Sequence, residues 1–335
     1  MNTDLLKHLV NIDSPSGFTK EACAFIHETL SGYGLSPHFT AKGAVVCNLG
    51  ENPSLVLAAH VDTLGGIVSQ INPNGTLRIS KVGGLLLPSF EGCYVRVHTL
   101  DGKTLTGTFL LDNPAIHVNR ESGTKKREIT NMHIRIDEEV ENVKDVQNLG
   151  ISIGDFVCFE PYYTETKSGF VKSKFMDNKA SCFVLFEIAR QLKDSNVPVQ
   201  LFFSNYEEVG HGAAAGYADT IEEMLCLDMA VVGDQQAGRE TLCSICAKDS
   251  SGPYDYEMRK TLVGLAKFNK IPFCQDIYPF YGSDGSAALR AGNDFRVGLI
   301  GMGVSASHGI ERTHKKGIQA TIDLCLSYIE DKFKD

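Results

Sequence analysis

Between about residues 66 and 165 the chain is a succession of short β-like segments, and on both sides of that stretch strand-like and helix-like segments alternate. This change of texture constrains the fold more than any other feature. Alternating strands and helices call for a sheet covered on both faces, whereas short strands parted by turns call for a small all-β unit. In the middle stretch, residues 66–71 and 76–79 flank Asn72-Pro73-Asn74-Gly75, a hairpin signal, and residues 94–98 and 105–109 continue the style. Outside it, residues 55–61, 199–204, 229–232, 242–246 and 296–300 are apolar enough for buried strands. Residues 178–193, 255–269 and 316–332 have helical patterns, and residues 3–32 read as two helices parted by Ser14-Pro15-Ser16-Gly17. The simplest architecture is one α/β domain made of residues 1–66 and 167–335, split by a β domain of residues 67–166.

A net charge of −9 argues against nucleic acid as a partner, because phosphate binding needs clustered Lys and Arg; Lys125-Lys126-Arg127 reads as a solvated loop. No apolar run reaches the roughly 18 residues of a membrane span, and Met1-Asn2-Thr3-Asp4 lacks the charged-then-apolar design of a secretory signal. The ten cysteines, many inside apolar runs, read as reduced thiols of a cytoplasmic protein. Cys243-Ser244-Ile245-Cys246 has redox or zinc spacing, but it stands without a second pair in a strand-like run, so packing is the expectation.

Chemistry concentrates where strands and loops end. In His60-Val61-Asp62 the two polar residues fall on one side of an extended segment, and a metal-binding imidazole commonly gives its other N–H to a carboxylate such as Asp62. Asp177 precedes an apolar helix, as a cap or as a ligand at a cavity edge. Glu207 and Glu208 end an apolar strand before a glycine-rich loop. As neighbours in an extended stretch they point in different directions, so one can bind metal while the other faces substrate as general base. That divergence argues against a glycosidase, whose two carboxyls flank one bond. Asp228 precedes an apolar strand, and His314 precedes the last helix. Together these residues make the oxygen and nitrogen ligand set of a two-zinc site. Asp284 and Asp234 could line the pocket, but ordinary loop positions are the expectation for both.

In this order the motifs resemble the tetrahedral aminopeptidase family, the glutamyl or deblocking aminopeptidases of the two-metal metallopeptidases. The resemblance covers essentially the whole chain, from the N-terminal Ser14-Pro15-Ser16-Gly17 through Glu207-Glu208-Val209-Gly210 to Gly282-Ser283-Asp284-Gly285. It implies a mixed-sheet catalytic domain with an inserted β-barrel used for dimerisation. It also implies two divalent metal ions, zinc or cobalt, held by His60, Asp177, Glu208, Asp228 and His314, with Asp177 bridging both. The pairing of the other ligands to individual ions stays open. Glu207 would be the general base toward a metal-activated water, with Asp62 beside it among the catalytic residues, and the Asp177–Asn178 peptide would be cis. Short peptides cut from the N-terminus would be the substrates, and dimers would assemble into a tetrahedral dodecamer. Three motifs depart from the usual family pattern: His60-Val61-Asp62-Thr63-Leu64-Gly65 for His-Met-Asp-Glu-Val-Gly, Asp177-Asn178-Lys179 for Asp-Asp-Arg, and Glu311-Arg312-Thr313-His314-Lys315-Lys316 for Arg-Tyr-Met-His-Ser-Pro. The ligands survive these changes, which fall on their neighbours and leave the substrate specificity open. The alternatives are a related two-metal deacylase or carboxypeptidase, whose inserted domain is usually α/β, and a catalytically silent member of the fold.

Overall fold

Every residue of the strand Leu55–His60 is buried, as expected of an interior strand with both faces covered. A computed structural model, describing residues 1–334, places it parallel between Val199–Ser204 and Glu223–Leu227. Arg296–Ser305 continues in the same direction beside Glu223–Leu227. These strands form the centre of a twelve-stranded mixed sheet. Its antiparallel additions include Val45–Asn48 on one side, and Cys243–Lys248 and Glu311–His314 on the other.

Side chains along the central strands alternate between two cores, as a period of two requires. Leu55, Leu57, Ala59, Leu201, Phe203, Leu225 and Leu227 join one core with Ile26, Phe183, Leu262 and Leu324 from the helices Lys20–Gly32, Met176–Leu192, Tyr256–Phe268 and Lys315–Lys332. Val56, Ala58, Phe202, Met224 and Cys226 enter the other, with Ala288 of the short helix Asp284–Arg290. Each such large side chain contributes about 1.5–3 kcal/mol on full burial. The same alternation disposes of the Cys-x-x-Cys spacing. Cys243 lies in the first core and Cys246 in the second, and burial pushes both thiols up to about 12.

The chain divides into two compact units, one of residues 1–62 together with residues from Tyr162 onward, the other Thr63–Pro161. The second is a closed six-stranded barrel in which Gly65–Ile71, Leu77–Val82, Met132–Ile136, Thr104–Leu111, Tyr94–His98 and Phe156–Phe159 follow one another around the ring. The α/β fold split by an all-β insertion is therefore the one the texture of the sequence implies, and the mixed sheet and closed barrel are those the resemblance implies. The structure adds Glu223–Leu227, a strand not expected from the sequence pattern, and carries the strand from Arg296 on to Ser305.

One glycine sets how closely the chain at Asp228 packs on its neighbour. Between Glu223–Leu227 and the short strand Ala230–Val232, which both run parallel to Arg296–Ser305 in one register, the Asp228 amide donates to the Ile300 carbonyl at 3.1 Å. A Cβ on the next residue, Gly301, would run into the Asp228 carbonyl. Only glycine allows this approach, which fixes the position of Asp228 at the sheet edge.

Candidate metal centre

The parallel strands stop along one edge of the sheet, the usual address of ligand sites in α/β folds. His60 is the last residue of its strand, Asp228 follows Leu227 directly, and the Glu207–Val209 turn comes shortly after Ser204. His308 lies in the turn after Ser305. Asp177 reaches the same space from the start of the helix Met176–Leu192, where non-helical backbone at Asp177 and Asn178 and a cis peptide between them interrupt the first turn.

Two groups of donors result. His60 Nε2 stands 3.3 Å from Asp177 Oδ1 and 3.9 Å from Asp228 Oδ1. His308 Nε2 stands 3.6 Å from Asp177 Oδ2 and 3.7 Å from Glu208 Oε2. Within each set, His60–Asp177–Asp228 and Asp177–Glu208–His308, one donor atom per residue lies within 4.8 Å of the others. Asp177 belongs to both and turns one oxygen to each histidine. Glu207 faces the same space, with Oε2 3.7 Å from His60 Nε2, and is a member of neither set.

His314 is not at this centre. Its Nδ1 accepts the Lys316 amide at 2.9 Å as the cap of the last helix, its Nε2 meets the Ser168 carbonyl at 2.9 Å, and its ring packs edge-on against Phe170. The physical reason is register: Glu311–His314 pairs with Phe170–Ser173, placing His314 opposite Phe170. The histidine brought to Asp177 and Glu208 is His308, which belongs to the same C-terminal motif but does not stand out in it by sequence. The signal available was its position three residues beyond a long apolar strand, a looser form of the signal that marks His60.

The surroundings of the donors differ in detail from the expectations. Glu207 and Glu208 do not diverge along an extended segment. They form a single 3₁₀ turn closed by Gly210 at φ 86°, which turns both carboxylates to the centre. Asp62 serves the pair more than the imidazole. Its Oδ1 accepts the Glu207 amide at 3.0 Å, and its Oδ2 accepts the Glu208 amide at 3.2 Å and the Ser16 hydroxyl at 2.5 Å. The nearest acceptor for His60 Nδ1 is the Asp62 backbone carbonyl at 3.0 Å, with the carboxylate at 3.5 Å. That contact assigns a proton to Nδ1 and leaves Nε2 facing the acids. Asp284 is buried with both oxygens occupied, by the Ser204 hydroxyl at 2.7 Å and the Ala213 amide at 2.9 Å. It braces the loop rather than lining a pocket. Asp234 is exposed in a turn.

The electrostatics show what is missing from the protein's own charges. Burial pushes Glu207, Glu208 and Asp228 well above the ordinary carboxylate range; Asp177 adds to this for Glu208 and Asp228, and Asp228 for Glu207, while His60 pulls all three down. Burial also opposes the charge on Asp177, but the hydrogen bond and charge of His60, with His308, hold it below its usual value. Burial opposes protonation of His60, yet Asp177, Asp62, Glu207 and Asp228 raise it well above the ordinary histidine value. Four converging carboxylates against two imidazoles repel one another unless protons or cations intervene. A set of imidazole nitrogens and carboxylate oxygens suits divalent ions, so the residues present fit such a group.

Comparison with known proteins agrees. The profile of the M42 glutamyl aminopeptidase family matches residues 43–324. YhfE of Bacillus subtilis (strain 168), a candidate aminopeptidase by its own name, is 42% identical over 334 residues, spanning 98% of this chain and 96% of YhfE. The fold is shared with a TET aminopeptidase from a marine sediment thaumarchaeote, at TM-score 0.87 and 22% identity over 98% of this chain and 95% of that one. It is shared too with the TET1 peptidase of Pyrococcus horikoshii, described as assembling into a tetrahedron or a large octahedral shell, at TM-score 0.85 and 22% identity over 97% of this chain and 98% of the other. With donors gathered at the strand ends and the family profile spanning both units, the chain belongs to the M42 glutamyl aminopeptidases, a family of metal-dependent aminopeptidases.

Proposed function

We propose that this aminopeptidase removes N-terminal residues from short peptides with a pair of divalent ions, zinc or cobalt, and with Glu207 as general base. The observation that carries the reading is that Asp177 belongs to both donor groups while Glu207 reaches the same space and belongs to neither. His60, Asp177 and Asp228 would hold one ion, and Asp177, Glu208 and His308 the other. When bound, such ions supply Lewis acidity toward the scissile carbonyl and lower the pKa of water. The protein's own part is proton handling and orientation. The Glu207 carboxylate, raised by burial and neighbouring acids, takes a proton from the attacking water and returns it to the leaving amine. Asp62 holds the Glu207 and Glu208 amides so that both carboxylates stay aimed. The free α-amino group of the substrate would be held by the second ion or by a nearby carboxylate, which directs cleavage to chain ends.

The test uses free and N-acetylated aminoacyl anilides and short peptides. Substrates with a free amine should be hydrolysed and blocked ones spared, a chelator should abolish turnover, and zinc or cobalt should restore it. Equal hydrolysis of blocked substrates, or turnover that survives chelation, would remove the proposal.

The two histidines give a sharper contrast. His308→Ala is expected to lower the bound divalent metal by about one equivalent, with activity falling by at least tenfold. His314→Ala should keep its metal and lose about 0.5–2 kcal/mol of stability with the helix cap. Metal analysis and urea melts on the two variants read this directly, and metal loss in His314→Ala alone would return the ligand role to His314.

We further read the protein as cytoplasmic and as assembling from dimers into a tetrahedral dodecamer through the barrel unit. All ten cysteines are free thiols, which suits a reducing compartment. No helix among the described residues is long and apolar enough to cross a membrane. On the barrel unit Tyr94, Leu100, Val118 and Ile153 are exposed, apolar side chains that assembly through this unit would cover.

A further inference from the structure

Glu311 is 2% exposed and belongs to neither donor group. It opens the strand Glu311–His314, opposite Ser173. Its Oε2 accepts the Asp177 amide at 3.0 Å, and its Oε1 accepts the His308 amide at 3.1 Å. Asp177 and His308 are the residues whose side chains meet at 3.6 Å in the second donor group. One buried carboxylate therefore ties together the backbones of two residues from distant parts of the chain.

The backbone on each side of this tie needs it. Ala306 and His308 have φ values of 58° and 61°, and Phe175, shortly before Asp177, has 67°. Residues with a Cβ adopt such values at a cost and keep them only where surrounding contacts insist. The turn that presents His308 is thus set by external contacts rather than by its own preference, and Glu311 supplies one at the histidine's own amide. Asp62 does the equivalent for Glu207 and Glu208. A carboxylate can accept from two amides at once, whereas a carboxamide offers one oxygen and turns its N–H₂ toward the other donor.

We propose that Glu311 is a positioning residue that holds Asp177 and His308 in mutual register, so that the Asp177–Glu208–His308 group is formed before an ion arrives. This rests on reading the centre as a two-ion site. Glu311 touches neither substrate nor ion and acts through the two amides.

The test is a titration of the metal-free, full-length chain with Co(II), followed by visible absorption. The wild type should take up two equivalents. Glu311→Gln should bind the second equivalent about 10–100-fold more weakly, in the range seen when groups supporting metal ligands are removed, with an altered absorption band. Glu311→Asp keeps the charge but is one methylene too short to reach both amides, so it should fall in between. Thr313→Val, in the same strand and lacking the Thr313 hydroxyl bond to the Gly303 carbonyl, controls for a merely structural loss. It should melt earlier when metal-free and bind Co(II) like the wild type. Wild-type affinity and spectrum in Glu311→Gln would overturn the proposal. Should that variant not fold, wild-type binding by Glu311→Asp overturns it instead. Failure of the wild type to take a second equivalent would sink the two-ion reading itself, a distinct result.

Discussion

Glu207→Gln is expected to keep its full complement of divalent metal and to lose roughly 10²- to 10⁴-fold in kcat, the usual contribution of a positioned general base. The substitution preserves shape and leaves Oε1 as an acceptor, but removes the capacity to take a proton. Glu207 faces His60 at 3.7 Å and stands outside both donor groups, so the substitution removes no donor from either group. Its amide would still be held by Asp62, so the turn that carries Glu208 should stay in place. Elemental analysis of the purified variant beside steady-state kinetics makes the measurement. Near wild-type kcat would dismiss Glu207 as the base, and loss of metal would recast it as a ligand.

Asp177→Ala is expected to lose both ions. The reason is geometric: Oδ1 faces His60 and Oδ2 faces His308, so one truncation leaves each group a donor short. Asp228→Ala removes a donor from the first group only and should leave the second ion bound. A comparison of metal content after desalting separates the two variants. Two ions retained by Asp177→Ala would mean that this carboxylate is not shared.

The sequence made some of this legible because the relevant information was local. The strand Leu55–His60 announces itself through an unbroken apolar run, and His60 stands where that run meets polar residues. The barrel unit is visible as a change of rhythm with a hairpin turn at Asn72-Pro73-Asn74-Gly75. Asp177, Glu208 and Asp228 share the property of a charged residue abutting an apolar element, and the structure gathers them with His60. What stayed hidden depends on pairing between distant segments. Whether His308 or His314 meets Asp177 is decided by the register of Glu311–His314 against Phe170–Ser173, which no window of residues contains. The true direction of Glu207 and Glu208 comes from a 3₁₀ turn whose amides are held by Asp62, far away in the chain. The bracing role of Asp284 likewise requires the Ser204–Ala213 loop to fold back onto it.

The attachment of the donors to the sheet edge has an evolutionary corollary. His60 and Asp228 are anchored by strands buried on both faces, so their placement is inherited with the hydrophobic core and tolerates little drift. Selection can rewrite residues that lie beyond the strand ends while the donors anchored to the core stay in place.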